Sequence, residues 1–136
     1  MKLVKGIVIA AGVFIFGASA SVYSQSVGLT RSVVLKEDIS VPNLEAVIAR
    51  VEIAPGGVAD WHTHPGDEIS YVADGDIVLF VAGQPPRKIS KGEGFVVPAG
   101  IVHSAKNEGT TPIKLVGVYV VEKGKPLASP APAPAQ

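Results

Sequence analysis

The 136-residue sequence has no cysteine. That absence excludes a disulfide framework, a thiol nucleophile, an iron–sulfur cluster and a Cys-ligated zinc. An excess of one charge is also missing, because twelve Lys and Arg balance twelve Asp and Glu. Such a neutral chain is not a general nucleic-acid binder. No apolar run reaches the roughly twenty residues that a comfortable membrane span needs. Histidine is scarce, with three in the chain, so the metal chemistry still open runs through His, Asp and Glu. What is abundant is apolar residues, at 47%. That is too many for a disordered protein, and the length suits one domain.

The two ends read differently from the middle. Lys2 and Lys5 precede the apolar run Gly6 to Phe16, and Ala18-Ser19-Ala20 follows. A basic start, a short apolar stretch and an A-x-A site predict a helical signal peptide over residues 1–20, cleaved after Ala20. The competing reading is an uncleaved N-terminal anchor. Cleavage leaves ten basic and twelve acidic residues, a net charge of −2, with no pull toward nucleic acid or anionic lipid. The expectation is an exported protein, most simply periplasmic, without a stable membrane anchor after cleavage. At the other end, residues 124–136 begin Gly124-Lys125-Pro126 and close on alternating Pro and Ala from Pro130 to Ala135, which predicts a disordered tail. The folded unit is expected over residues 28–123.

Within that unit no helical pattern stands out. Turn formers recur every eight to twelve residues, among them Pro55-Gly56-Gly57, Pro65-Gly66-Asp67, Asp74-Gly75-Asp76 and Pro98-Ala99-Gly100. This spacing predicts an all-β sandwich or barrel of short strands. Strands are expected over Glu45 to Ile53, Ile69 to Ala73, Ile77 to Ala82, Phe95 to Val97 and Ile113 to Val121. In the first, Val47, Ala49, Val51 and Ile53 share a face, with Glu45, Arg50 and Glu52 mostly on the other. The last is apolar on both faces, as befits a strand covered by another sheet or a second subunit.

Two segments carry the chemistry. His62 and His64 are two residues apart, so on a strand both imidazoles point the same way. Pro65-Gly66 turns or bulges the chain, and Glu68 then enters the next strand aimed at the same space. His103 follows the Pro98-Ala99-Gly100 turn. Glu68 is preferred to its neighbour Asp67 by spacing and by the strand that follows it.

The two segments resemble the paired motifs of the cupin superfamily, here in the form of a small single-domain bacterial member. The first pattern, G-x5-H-x-H-x3,4-E-x6-G, is matched by Gly56, His62, His64, Glu68 and Gly75. The second, G-x5-P-x-G-x2-H-x3-N, is matched by Gly92, Pro98, Gly100, His103 and Asn107. Sixteen residues, Asp76 to Lys91, separate them. The resemblance implies a single cupin jelly-roll β-barrel with the motifs lining its interior. It also implies one divalent transition metal held by His62, His64, Glu68 and His103. Three imidazoles and a carboxylate suit iron, manganese, nickel or copper, with zinc also compatible.

Residues around the motifs receive plainer roles. Trp61 and Thr63 should face away from the histidines, and Tyr71 should be core or interface. Ser70 shares the parity of Glu68 and is a candidate pocket residue. Asp60 shares that of His62, with a solvated loop as the bland reading. Asn107, Asp74 and Asp76 should stabilise turns. Phe80 is expected in the core, and Arg87, Lys88 and Lys91 on a solvated face. The expected activity is oxidoreductase or dioxygenase-like chemistry on a small organic molecule, with Glu68 as fourth ligand and candidate catalytic base. A metal-dependent lyase or isomerase and a non-catalytic small-molecule binder are the alternatives. A homodimer is expected.

Overall fold

The computed structural model describes residues 26–135; the expected signal peptide, residues 1–20, lies outside them. Among the described residues all regular structure is β. The strands are β1 (Val27–Asp38), β2 (Leu44–Thr63), β3 (Gly66–Asp74), β4 (Asp76–Val81), β5 (Arg87–Ser90), β6 (Gly94–Val97), β7 (His103–Lys106), β8 (Ile113–Glu122) and β9 (Ser129–Pro130). Their order is β5-β4-β7-β2-β8-β3-β6, with β1 and β9 also paired to β2. This is the expected jelly-roll barrel, almost closed.

The long strand β2 belongs to both walls. Its first half, Leu44 to Ile53, lies between β1 and β8, and its second half pairs with β7. The change of partner falls at Pro55-Gly56-Gly57. Gly56 has φ 72°, a left-handed conformation that favours glycine. A Cβ on Gly57 would lie 2.8 Å from the Ala54 carbonyl oxygen and 2.9 Å from an Ile53 methyl. The corner is held by Asn107, whose amide bonds the carbonyls of Ile53 at 2.9 Å and Thr111 at 2.8 Å while its oxygen accepts from Gly109 N–H. Asn107 is thus the turn-stabilising residue that was expected.

Alternation decides what is inside. Val47, Ala49, Val51 and Ile53 are buried, and Leu115, Tyr119 and Val121 of β8 meet them across the sheet. Glu45 departs from the expectation: it shares the parity of Val47, is buried, and pairs with Lys36 at 3.1 Å. The outer residues Val116, Val118 and Val120 of β8 are half-buried, whereas Lys114 and Glu122 are exposed.

Two further expectations change. β1 was not among the expected strands, although Pro42-Asn43 marks a turn after it, and it forms a twelve-residue strand on the edge of β2. The Pro/Ala tail, expected to be disordered, docks over part of its length. Ser129 and Pro130 pair with Thr63 and His62, and Ala131 N–H donates to the Trp61 carbonyl at 2.9 Å. Leu127 packs against the cluster of Val47, Ala49, Tyr119 and Val121. Proline is tolerated there because the tail lies at an edge, where its missing N–H breaks no ladder. Leucine supplies the apolar anchor that alternating Pro and Ala lack.

Candidate metal centre

The first motif runs off the end of β2 and into β3. A register shift between Ala59 and His62, against Ala105 and His103, inserts one extra residue into β2. This bulge brings His62 opposite His103 and breaks the i, i+2 relation between Asp60 and His62. Gly66 lets β3 start hard against β8, since a Cβ there would sit 1.9 Å from the Val120 carbonyl oxygen. Two residues on, Glu68 faces inward opposite Tyr119.

The four expected ligands meet. One ligand atom from each of His62, His64, Glu68 and His103 lies within 4.8 Å of the others. His64, Glu68 and His103 are 3%, 6% and 2% exposed, and His62 is half-buried. Each ring turns Nδ1 outward to a backbone carbonyl: His62 to Asp60 at 2.6 Å, His64 to Leu127 at 2.5 Å, His103 to Ile101 at 2.9 Å. A neutral imidazole donating from Nδ1 has its lone pair on Nε2. The Nε2 atoms of His64 and His103 lie 3.0 and 3.1 Å from the same Glu68 oxygen, Oε2. His64 Nε2 is buried without a hydrogen-bond partner.

The electrostatics follow from this packing. Burial, then the neighbouring His103 and His64, pull His62 down to about 4 from the ordinary 6.5, so the ring is neutral at neutral pH. Burial alone would raise the Glu68 carboxyl. The contacts from His103 and His64, with the Ser70 hydroxyl, outweigh it and hold the group well below the usual carboxylate range. Ser70 Oγ donates to Glu68 Oε1 at 2.6 Å, so Ser70 touches the centre through the carboxylate. Three Nε2 atoms and a carboxylate thus crowd one buried space. Burying such a set is unfavourable unless a cation joins it. The donor set therefore fits one divalent metal, with each outward Nδ1–H held by an acceptor as metal-binding histidines require.

Other expected residues fall into place around this centre. Asp67 points away, its Oδ1 accepting from Ala99 N–H at 3.0 Å, which removes it as a rival to Glu68. Asp60 is half-buried, with Oδ2 enclosed and unpartnered. Phe80 is not a core residue: it is half-buried and stacks edge-on with Trp61, ring centres 6.3 Å apart. Tyr71 is exposed on the outer face, which removes the core reading. Lys88 and Lys91 pair with Asp76 and Asp74 on the surface, as expected for a solvated face.

Sequence reasoning missed three contributors. The Leu127 carbonyl orients His64 from the tail. Tyr119, placed beforehand only as an apolar strand residue, has its ring centre 4.8 Å from that of His64. Burial and the Glu68 charge push its phenol up to about 12, so it keeps its proton. Arg31, on the unexpected strand β1, lines the same cavity as His62, Glu68, His103 and Tyr119. The Pro42-Asn43 turn that follows it was the available signal for that strand.

Comparison with known proteins agrees with this geometry. The family profile described as Cupin domain matches residues 49–121, more than half of the chain. The chain is 38% identical over 87 residues to Nectarin-1 of Nicotiana langsdorffii x Nicotiana sanderae, covering 58% of this chain and 38% of that protein. It is 35% identical over 81 residues to Germin-like protein subfamily 2 member 2 of Arabidopsis thaliana, covering 56% of this chain and 37% of that one. The chain thus spans less than two fifths of the length of these relatives. An uncharacterized conserved protein with a double-stranded beta-helix domain from Klebsiella pneumoniae superposes with a TM-score of 0.64 at 24% identity, covering 77% of this chain and 85% of that chain. With the barrel, the matched region and the four converging side chains in agreement, the chain belongs to the cupin family.

Proposed function

We propose that this protein is an exported, periplasmic metalloenzyme that carries out oxidoreductase or dioxygenase-like chemistry on a small organic molecule. One observation carries the reading: one ligand atom from each of three imidazoles and a carboxylate converges in a buried space, and each imidazole gives its other nitrogen to a backbone carbonyl. His62, His64, His103 and Glu68 would hold a divalent transition metal, iron, manganese, nickel, copper or zinc. When bound, the metal supplies Lewis acidity and, for a redox-active ion, electron transfer. Ser70 steadies the carboxylate through its 2.6 Å hydrogen bond. The low proton affinity of Glu68 favours its role as ligand over that of base.

Tyr119 favours a second reading, a metal-dependent lyase or isomerase. Its phenol keeps a proton in the same cavity, and such reactions need an acid to return one.

The test is metal content followed by turnover. Protein purified without a histidine tag is expected to hold about one equivalent of metal, and His103→Ala to hold at least tenfold less after dialysis, by elemental analysis. Oxygen consumption with small organic acids and phenols would then support the oxidoreductase reading. Substrate loss without oxygen uptake would favour the lyase or isomerase. A metal content equal in wild type and His103→Ala would sink both.

A further inference from the structure

The barrel holds its centre in a closed state. The cavity beside His62, Glu68 and His103 is about 20 Å³, room for roughly one water-sized group. A pocket for a small organic molecule is on the order of 300 Å³ or more. Part of the chain must therefore move before such a molecule reaches the centre.

The segment after β8 is the part placed to move. Its base is fixed: Glu122 N–H donates to the Pro65 carbonyl at 3.3 Å, and Lys123 N–H to that of Asn43 at 3.0 Å. The chain reverses at Gly124, which has φ 75°. It then passes from the end of β8 to the end of β2, where Ser129 and Pro130 pair with Thr63 and His62. Between the two, Leu127 packs against Val47, Ala49, Tyr119 and Val121, the inward residues of β2 and β8 at this end of the barrel. Its carbonyl accepts from His64 Nδ1. The segment thus spans the barrel end beside two of the four candidate ligands, with Leu127 inserted as a plug.

Its hold is weak beside that of the walls. Pro126, Pro130, Pro132 and Pro134 have no N–H to give. β9 pairs with β2 over two residues, whereas β8 pairs with it over ten. Leu127 is half-buried, and Lys125 and Pro126 are exposed. An element with a short ladder and an exposed backbone opens locally, well below the cost of unfolding the whole domain. We infer that residues 125–135 are a strap that closes the barrel end, and that it lifts about Gly124 to admit metal and substrate. The inference rests on the metal reading above and adds to it the route by which that centre is reached.

The experiment locks the strap. The chain has no cysteine, so Thr63→Cys with Ser129→Cys introduces a single disulfide between residues directly opposite in the β2–β9 pair. Such residues lie about 4.5–5.5 Å apart, within disulfide reach. The full mature chain is loaded with manganese(II), a hard ion with little affinity for thiolate. Its release to excess chelator is followed by electron paramagnetic resonance. Release from the oxidised double variant is expected to be about tenfold or more slower than from the same protein reduced. Leu127→Ala should release and take up manganese about threefold or more faster than wild type, with the ratio of the two rates unchanged. In metal-free wild type, Ala131 N–H should exchange with deuterium about tenfold or more faster than the amides of β8. Equal release from the oxidised and reduced forms overturns the inference and leaves the metal reading intact. So does an Ala131 amide that exchanges as slowly as those of β8. Should the double variant not fold or not close its disulfide, Leu127→Ala decides, and wild-type rates in that variant overturn the inference. Failure of wild type to take up manganese removes the metal reading itself, and the inference with it.

Discussion

At the scale of single residues, the site is a set of groups whose protonation is decided by neighbours. Each histidine is fixed by a carbonyl on its outer nitrogen, and Glu68 by Ser70. These inner residues were legible in the sequence because motif spacing is local. Strand parity places His62 with His64 and Glu68 with Ser70 without knowledge of the rest of the chain. Parity fails at Asp60, where the bulge resets it, and at Glu45, whose charge hid an inward position. Asn107 presents the plainest stability prediction. It is 1% exposed and satisfies two carbonyls and one N–H. Asn107→Ala leaves those groups unpaired and is expected to cost about 2–3 kcal/mol. Urea denaturation of the two proteins checks it, and a loss below about 0.5 kcal/mol would contradict the assigned role.

Among elements, the two terminal strands do the least expected things. β1 covers the edge of β2 and delivers Arg31, while the tail covers the other stretch of β2 and delivers the Leu127 carbonyl. Neither has a motif. The tail composition argues for an extended chain, and an extended chain it is; what composition does not show is a docking edge. Deleting residues 126–136 removes the acceptor of His64 Nδ1 and the Leu127 anchor. Metal affinity is expected to fall about 10–100-fold, the usual effect of losing a partner behind a ligand. Competition against a chelator measures this directly. Leu127→Ala keeps the carbonyl and should lose mainly apolar packing, so a metal affinity close to wild type is expected of it. Equal affinities in the deleted and full-length chains would show that the tail only lies alongside.

For the whole molecule, the outer face of the β3–β6 sheet remains apolar. Ile69 and Val96 are partners in register and are 46% and 59% exposed, with Tyr71 beside them at 51%. Such a patch suits an interface between copies of the chain, and we propose the expected homodimer through it. Light scattering should give about twice the chain mass, and the double substitution Ile69→Lys, Val96→Lys about one chain mass, with metal content unchanged. A monomeric wild type would exclude this use of the face.

The sequence by itself determined the all-β class, the inward and outward parity of most strands, and the four converging side chains. Those properties depend on residue type and on spacing over a few positions, and both survive unfolding of the chain into a line. Only the tertiary structure decided which strand covers which edge. Arg31 and Leu127 reach the centre from segments 31 and 63 residues away from His62 and His64 respectively, and the Tyr119 phenol tips over the space left by Gly117. Contacts of that kind come from the barrel's closure, which pairs distant strands by shape and burial, and no local pattern along the chain encodes them.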